Sequence, residues 1–213
     1  KNRQTKETPV AALAGNPNVG KSTIFNALTG MRQHTGNWPG KTVSLAQGVC
    51  VYKGEEIRLV DLPGTYALVS KSQEEILAAG FISGGEADCV IAVCDATSLE
   101  RSLILALQVM ELTDRVIVCV NLMDEARKQG IEIDLAALSF ELGVPVVAAS
   151  ASREEGMGEL LEQLRRILDG FEAPRPRRCG VVPNSIRESH LGAEALHGAS
   201  RQASDEIAAQ FVR

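Results

Sequence analysis

Gly15-Asn16-Pro17-Asn18-Val19-Gly20-Lys21-Ser22 fits G-x-x-x-x-G-K-[ST], the spacing of a phosphate-binding loop. Each residue type in it has a physical task. Gly15 and Gly20 carry no Cβ, so the backbone can wrap closely around phosphate oxygens. The loop N–H groups and the helix N-terminus that follows aim partial positive charge at an anion. Lys21 supplies a full charge at the β- and γ-phosphates, and the Ser22 hydroxyl is placed to ligate Mg²⁺. Asn16, Asn18, Val19 and Thr23 complete the predicted nucleotide contacts of the loop and first turn. The setting agrees: Val10-Ala11-Ala12-Leu13-Ala14 reads as a strand before the loop, and 21–29 reads as a helix after it.

Working outward, short apolar runs alternate with amphipathic segments. Strands are expected at 10–14, 44–52, 56–61, 89–95, 115–121 and 145–149. Helices are expected at 21–29, 73–82, 99–112, 124–129, 135–142 and 157–168. This alternation predicts an α/β fold: a mostly parallel six-stranded sheet with helices on both faces. Tyr52-Lys53-Gly54-Glu55 reads as a hairpin turn, which makes one edge pair antiparallel. A boundary is expected near 170. Residues 1–170 form the nucleotide domain; 171–213 form a linker and a short, partly helical tail. Ala173-Pro174-Arg175-Pro176-Arg177-Arg178 cannot continue a helix. Its arginines are a solvated linker or a contact to acidic lipid headgroups or an acidic partner. The tail's apolar content is too thin to bury a core alone.

Bulk properties narrow the function classes. The chain has 213 residues, 45% of them hydrophobic, enough for one sizeable core. A net charge of −5 and few aromatic residues argue against a nucleic-acid partner. None of the five cysteines forms a C-x-x-C pair, so buried free thiols in a reducing cytoplasm are expected. No apolar run reaches the roughly 18 residues needed to cross a bilayer, and Lys1 to Thr8 is polar. A soluble cytoplasmic polypeptide, or an excised part of a larger one, is expected.

Three further motifs follow in order. Asp61-Leu62-Pro63-Gly64 fits D-x-x-G at the end of a strand. Asp61 is placed to hold Mg²⁺ through water, and Gly64 can bring its N–H to the γ-phosphate. Asn121-Leu122-Met123-Asp124 fits N-x-x-D. The Asp124 carboxylate can accept guanine N1–H and N2–H₂, whereas adenine offers no such pair of donors. Asn121 braces the loop, and Leu122 stands where a Lys is usual. The plain alternative is a helix capped by Asp124. Ser150-Ala151-Ser152 fits [ST]-A-x, whose backbone N–H reaches the guanine carbonyl. Between loop and second strand, His34 to Val43 is Gly-rich and contains the only Trp, Trp38, read as a loop residue. Thr42 is the candidate hydroxyl for Mg²⁺ when γ-phosphate is present. Glu74 and Glu75 read as a solvated helix start.

Gly-Asn-Pro-Asn-Val-Gly-Lys-Ser, Thr-Gly-Asn-Trp-Pro-Gly-x-Thr-Val, Asp-Leu-Pro-Gly-Thr-Tyr and Asn-Leu-Met-Asp together resemble the cytoplasmic N-terminal G domain of the bacterial ferrous iron transport protein B family. The resemblance spans about residues 8 to 170, and Asn-Trp-Pro-Gly is its most family-specific piece. It implies the P-loop GTPase fold and slow GTP hydrolysis, with GTP and GDP as ligands. It also implies control of Fe²⁺ uptake through a membrane-embedded permease domain at the inner membrane. It further implies K⁺ stimulation, with Asn18 as a K⁺ ligand and carbonyls around Asn37 and Trp38 completing the shell. Self-association into a homo-oligomer stays open.

The chain departs from Ras-type enzymes after D-x-x-G, where Thr65 stands in place of a water-orienting Gln. Catalysis is therefore expected to lean on Lys21, Asn18, Thr42, the Gly64 N–H and the cations. Switch loops are expected at 33–43 and 62–73. The other reading is a nucleotide-gated binding module of the ribosome-assembly type, in which turnover is incidental.

Overall fold

The computed structural model describes residues 8–30, 33–37, 44–68, 72–179 and 190–212. In chain order the elements are β1 (Val10–Gly15), α1 (Lys21–Thr29), β2 (Gln33–Asn37), β3 (Ser44–Tyr52), β4 (Glu55–Asp61), α2 (Gln73–Ser83), β5 (Cys89–Asp95), α3 (Leu99–Leu112), β6 (Val116–Asn121), α4 (Met123–Lys128), α5 (Leu135–Leu142), β7 (Val146–Ala148), α6 (Met157–Leu168) and α7 (His190–Phe211). The strands form one sheet in the order β2-β3-β4-β1-β5-β6-β7. β1 pairs in parallel with β4 and β5, and β5-β6-β7 continue in parallel. β3 is antiparallel to both neighbours. The β3–β4 hairpin turns through Lys53 and Gly54, both at positive φ, as a two-residue turn between right-twisted strands requires.

The central strands are apolar on both faces because both are covered. Ala12, Ala14, Val90, Ala92, Cys94, Val118 and Val120 share a core with α2, α3, α5 and α7. Their alternates Ala11, Leu13, Cys89, Ile91, Val93, Ile117 and Cys119 pack against α1 and α6. On α6, Leu160, Leu164 and Ile167 recur at helical spacing and are fully buried. Each such side chain contributes about 1.5–3 kcal/mol relative to exposure. Cys50, Cys89, Cys94 and Cys119 are buried and free, and Cys179 is partly buried and free. Burial pushes the Cys50 thiol up to about 11 and the Cys89 and Cys119 thiols up to about 12.

Two expectations need correction. The sheet has seven strands, not six. The additional edge strand is β2, which lies in the segment read as a loop. Its residues Gln-His-Thr-Gly-Asn show no apolar alternation; backbone pairing with β3 alone makes it a strand. Helix α4 begins at Met123, with Leu122 at its cap and in the left-handed region. Asp124 is therefore inside the first turn and is not the cap.

Past α6 the chain runs extended along α5. The N–H of Arg175 donates to Gly143 O at 2.9 Å and that of Arg177 to Leu142 O at 2.8 Å. Arg177 and Arg178 form ion pairs with Glu141 and Asp114, so the acids that meet them belong to this chain. α7 lays Leu196, Ala203, Ile207 and Ala208 into the core beside α3, and its buried Ser200 and Ser204 keep that face narrow. Ser204 donates to the Glu100 carbonyl of α3.

Candidate functional site

The carboxyl ends of β1, β4 and β6 bring the motif residues to one rim of the sheet, where open α/β sheets bind ligands. β1 delivers Gly15. A Cβ there would sit 2.9 Å from the Val93 carbonyl oxygen, so the close strand crossing demands glycine. Asn18 takes φ 67 and Gly20 φ 81, which curls the loop back on itself. α1 then starts with no side-chain cap and no acid in its first turn. Its leading N–H groups have no partner from within the helix and suit an anion.

Beside them, Lys21 Nζ forms an ion pair with Asp61 Oδ1; the two side chains are 9% and 11% exposed. Ser22 Oγ donates to Asp61 Oδ2 at 3.0 Å. A cleft of about 520 Å³ opens here, lined by Asn16, Asn18, Lys21, Ser22, Thr23 and Gly64 among others. A larger hollow of about 680 Å³ lies at the opposite ends of the strands, around Thr8, Arg58, Asp88 and Arg115. Volume does not decide between them. Only the smaller cleft combines a lysine, a free helix N-terminus and glycines where backbone can approach a ligand.

The second wall of the site is Asn121, 1% exposed. Its Nδ2 donates to Val19 O at 2.9 Å, and its Oδ1 accepts from the Ala151 N–H at 3.0 Å. One side chain therefore ties the phosphate loop to the loop after β7. Gly20 fits against it: a Cβ at 20 would lie 2.3 Å from Asn121 Nδ2. The Asp124 N–H donates to Ser150 Oγ at 3.2 Å. Asp124 itself is 8% exposed, and its Oδ1 is buried with no hydrogen-bond partner. The loop is closed by mutual backbone bonds between Ser150 and Glu155, at 3.1 and 3.3 Å. Ala151 does not present a spare N–H here, because Asn121 already accepts it.

The D-x-x-G segment folds over the phosphate loop. Gly64 abuts Pro17, with space for a Cβ only 3.3 Å from Pro17 Cα. The buried Thr65 donates its N–H to Gly15 O at 3.3 Å. Tyr66 is 51% exposed and lies under the Arg101 guanidinium, 4.6 Å from ring centre to Cζ. The Leu68 N–H donates to Gln108 Oε1 at 2.7 Å. Glu74 and Glu75 occupy the first turn of α2, where Glu75 completes a capping box with Ser72.

The structure thus brings Gly15, Asn16, Asn18, Val19, Gly20, Lys21, Ser22, Thr23, Asp61 and Gly64 to one end of the rim. Asn121, Leu122, Asp124, Ser150 and Ala151 lie at the other. Thr42 and Trp38 lie outside the described residues, as does the side chain of Asn37. Two residues of this region were not singled out from the sequence. Gln108 had a signal, as the lone polar residue in the apolar run Leu103 to Met110. Arg153 had none, since only the folded loop brings it to Asp124.

A sequence model of the family described as Ferrous iron transport protein B matches residues 9–164. The Fe(2+) transporter FeoB of Escherichia coli (strain K12) is 44% identical over 165 residues, covering 76% of this chain and 21% of that protein. The Fe(2+) transporter FeoB of Salmonella typhimurium is 45% identical over 165 residues, with the same coverage of 76% and 21%. The chain therefore spans about a fifth of the length of these curated relatives. The cytosolic domain of the T. maritima FeoB iron transporter in a GDP form superposes with a TM-score of 0.85 at 31% identity, covering 97% of this chain and 100% of that one. Its GMPPNP form gives 0.85 at 32% identity, with 97% and 100% covered.

Proposed function

The chain belongs to the ferrous iron transport protein B family, and from that premise we propose that it is a Mg²⁺-dependent, K⁺-stimulated GTP hydrolase whose switch loops control Fe²⁺ uptake by an attached membrane domain. The observation that carries this is the pairing of two half-sites on one rim. Lys21, Ser22 and Asp61 stand at one end, and Asp124 with its partnerless oxygen stands at the other. The GDP and GMPPNP forms of the T. maritima relative support guanine as the base.

In this reading the loop backbone from Asn16 to Ser22 and the α1 N-terminus hold the phosphates. Lys21 leaves Asp61 for the β- and γ-phosphates. Asp124 accepts both N–H groups of the guanine edge. Adenine would set its own acceptor against the carboxylate and leave a buried acceptor unpaired, at about 1–3 kcal/mol per group. Ala151 transfers its N–H from Asn121 toward the base carbonyl. Ser22 and Asp61 place two hard oxygen donors side by side, a set that suits Mg²⁺. When bound, the ion would neutralise charge between the β- and γ-phosphates. Asn18 is exposed at the cleft and offers an amide oxygen for K⁺. Asn37 and Trp38 are proposed as its companions from family resemblance.

Neither Thr65, which is buried, nor Tyr66, which stacks on Arg101, is placed as a general base. Rate enhancement is therefore assigned to Lys21, Asn18, Thr42 and the Gly64 N–H acting on transition-state charge. Such groups are worth about 10²–10³ in rate each. Residues 1–170 are proposed as the G domain and 171–213 as linker and remnant of a helical domain. The full-length protein would place this domain on the cytoplasmic face of the inner membrane.

The test is GTP turnover by the purified chain with Mg²⁺ in KCl and in NaCl, with ATP as control. Faster turnover in KCl and none with ATP is expected. Equal rates in both salts would remove potassium from the mechanism, and equal use of ATP would remove Asp124 as base reader.

A further inference from the structure

Asp124 is only half engaged. One oxygen, Oδ1, is buried without a hydrogen-bond partner. The other, Oδ2, lies 3.3 Å from Nε of Arg153. The two side chains differ sharply in exposure, 9% for Asp124 and 53% for Arg153. The backbone of Arg153 is fixed in the loop after β7. Its N–H donates to Ser150 O at 2.9 Å, and Glu154 then turns the chain through φ 58. Among the described residues, Asp124 is the one carboxylate at ion-pair distance from Arg153. A long, solvated side chain thus reaches to a buried carboxylate from the rim of the base site.

The chemistry of the two possible occupants is alike. The N1–C2–N2 edge of guanine is a guanidine fragment that presents N–H donors side by side. An arginine side chain presents the same fragment with a full charge. A carboxylate in a sheltered site needs such a partner, because an uncompensated buried charge is costly. We propose that Arg153 is an internal stand-in for the guanine edge. It covers Asp124 when no base is present, is displaced when guanine binds, and so lowers nucleotide affinity by stabilising the empty state. This rests on Asp124 being the guanine reader.

Removing Arg153 should raise the free energy of the empty protein alone. A partly exposed ion pair of this kind is worth at most about a fivefold change in an equilibrium constant. The experiment compares wild type, Arg153→Ala and Arg153→Gln by titration with fluorescent GDP in Mg²⁺. Thermal unfolding is followed with and without saturating GDP. The expected result is GDP binding about two- to fivefold tighter in both variants. The melting temperature of the empty protein should fall while that of the GDP-loaded protein stays level. Unchanged or weaker GDP binding would overturn the proposal, as would an equal loss of melting temperature in both states, which marks a merely structural residue. Asp124→Asn is run alongside. If it binds GDP like wild type, the base-site reading itself fails, whatever Arg153 does.

Discussion

Asn121→Ala tests whether one buried amide holds the two halves of the site in register. The side chain is 1% exposed and bridges Val19 O and the Ala151 N–H at 2.9 and 3.0 Å. Truncation leaves a buried carbonyl and a buried N–H without partners, each costing about 1–3 kcal/mol. Entry of one water would recover part of that loss, so a net destabilisation of about 3 kcal/mol is expected. In a domain of this size 1 kcal/mol moves the melting temperature by roughly 2–4 °C. The empty protein should therefore melt about 6–12 °C lower. A second effect is separable. Gly20 rests on Asn121, so the phosphate loop loses its backing wall. In wild type, GDP at 100 times its dissociation constant adds about 2.7 kcal/mol of stability. At the same GDP concentration the variant should gain less, because its loop must be reordered on binding. Calorimetric melting with and without GDP measures both quantities. A shift under 2 °C together with an unchanged GDP increment would refute the bracing role.

Gly20→Ala forces a Cβ to 2.3 Å from Asn121 Nδ2 at φ 81; the left-handed backbone alone costs about 1–2 kcal/mol, and loss of measurable GDP binding is expected. Wild-type affinity in that variant would show that the loop yields without consequence. Gln108→Leu removes the acceptor for the Leu68 N–H and the contact to His197 Nδ1 at 3.3 Å. Stability should fall by about 1–3 kcal/mol, and amide exchange should rise at Leu68 and in α7 together; a rise in one alone would separate them. The buried thiols give a pH signature. Their ordinary value is 9.0, raised by burial to about 11 for Cys50 and about 12 for Cys89 and Cys119. The folded chain then holds protons that the unfolded chain has lost, so stability is intact below pH 9 and declines from 9 toward 12. Urea unfolding across that range checks the sign, and a variant with these three cysteines changed to alanine should show a shallower decline.

What was legible in the sequence was whatever local pattern determines. The runs Val10 to Gly15, Cys89 to Asp95 and Val116 to Asn121 are apolar because both sheet faces are covered, and they read directly as parallel strands. Gly20 and Lys21 read directly because the loop geometry tolerates little else. β2 did not read, since polar residues on an edge strand carry no periodic signal. The docking of α7 was equally hidden. Its contact stripe uses Ala and Ser as much as Leu and Ile, so it looks polar although it packs closely on α3. The Asp124–Arg153 and Gln108–Leu68 contacts join residues 29 and 40 apart through the fold. No spacing rule anticipates them.

The two ion pairs of the site, Lys21–Asp61 and Arg153–Asp124, support a reading in which each is exchanged for a ligand contact. Lys21 and Asp61 are nearly buried, and so is Asp124. None could sit uncompensated in a sheltered cleft. Lys21 pairs with Asp61 where, as proposed, phosphates would meet the lysine and a metal the carboxylate. Arg153 pairs with Asp124 where, as proposed, a guanine edge would stand. If nucleotide and Mg²⁺ bind as proposed, they break both internal pairs and make their replacements, and guanine also meets the Asp124 oxygen that has no partner in the described structure. In that reading the internal pairs stabilise the nucleotide-free protein and favour release. It also separates the two ends experimentally. Removing charge at Asp61 frees Lys21 for phosphate but deletes a metal donor, so Asp61→Asn should bind GDP in the absence of Mg²⁺ at least as well as wild type while losing the Mg²⁺ increment. If Asp61→Asn instead weakened GDP binding equally with and without the ion, Lys21 would not be exchanging partners, and the account of the empty state would fail at that end.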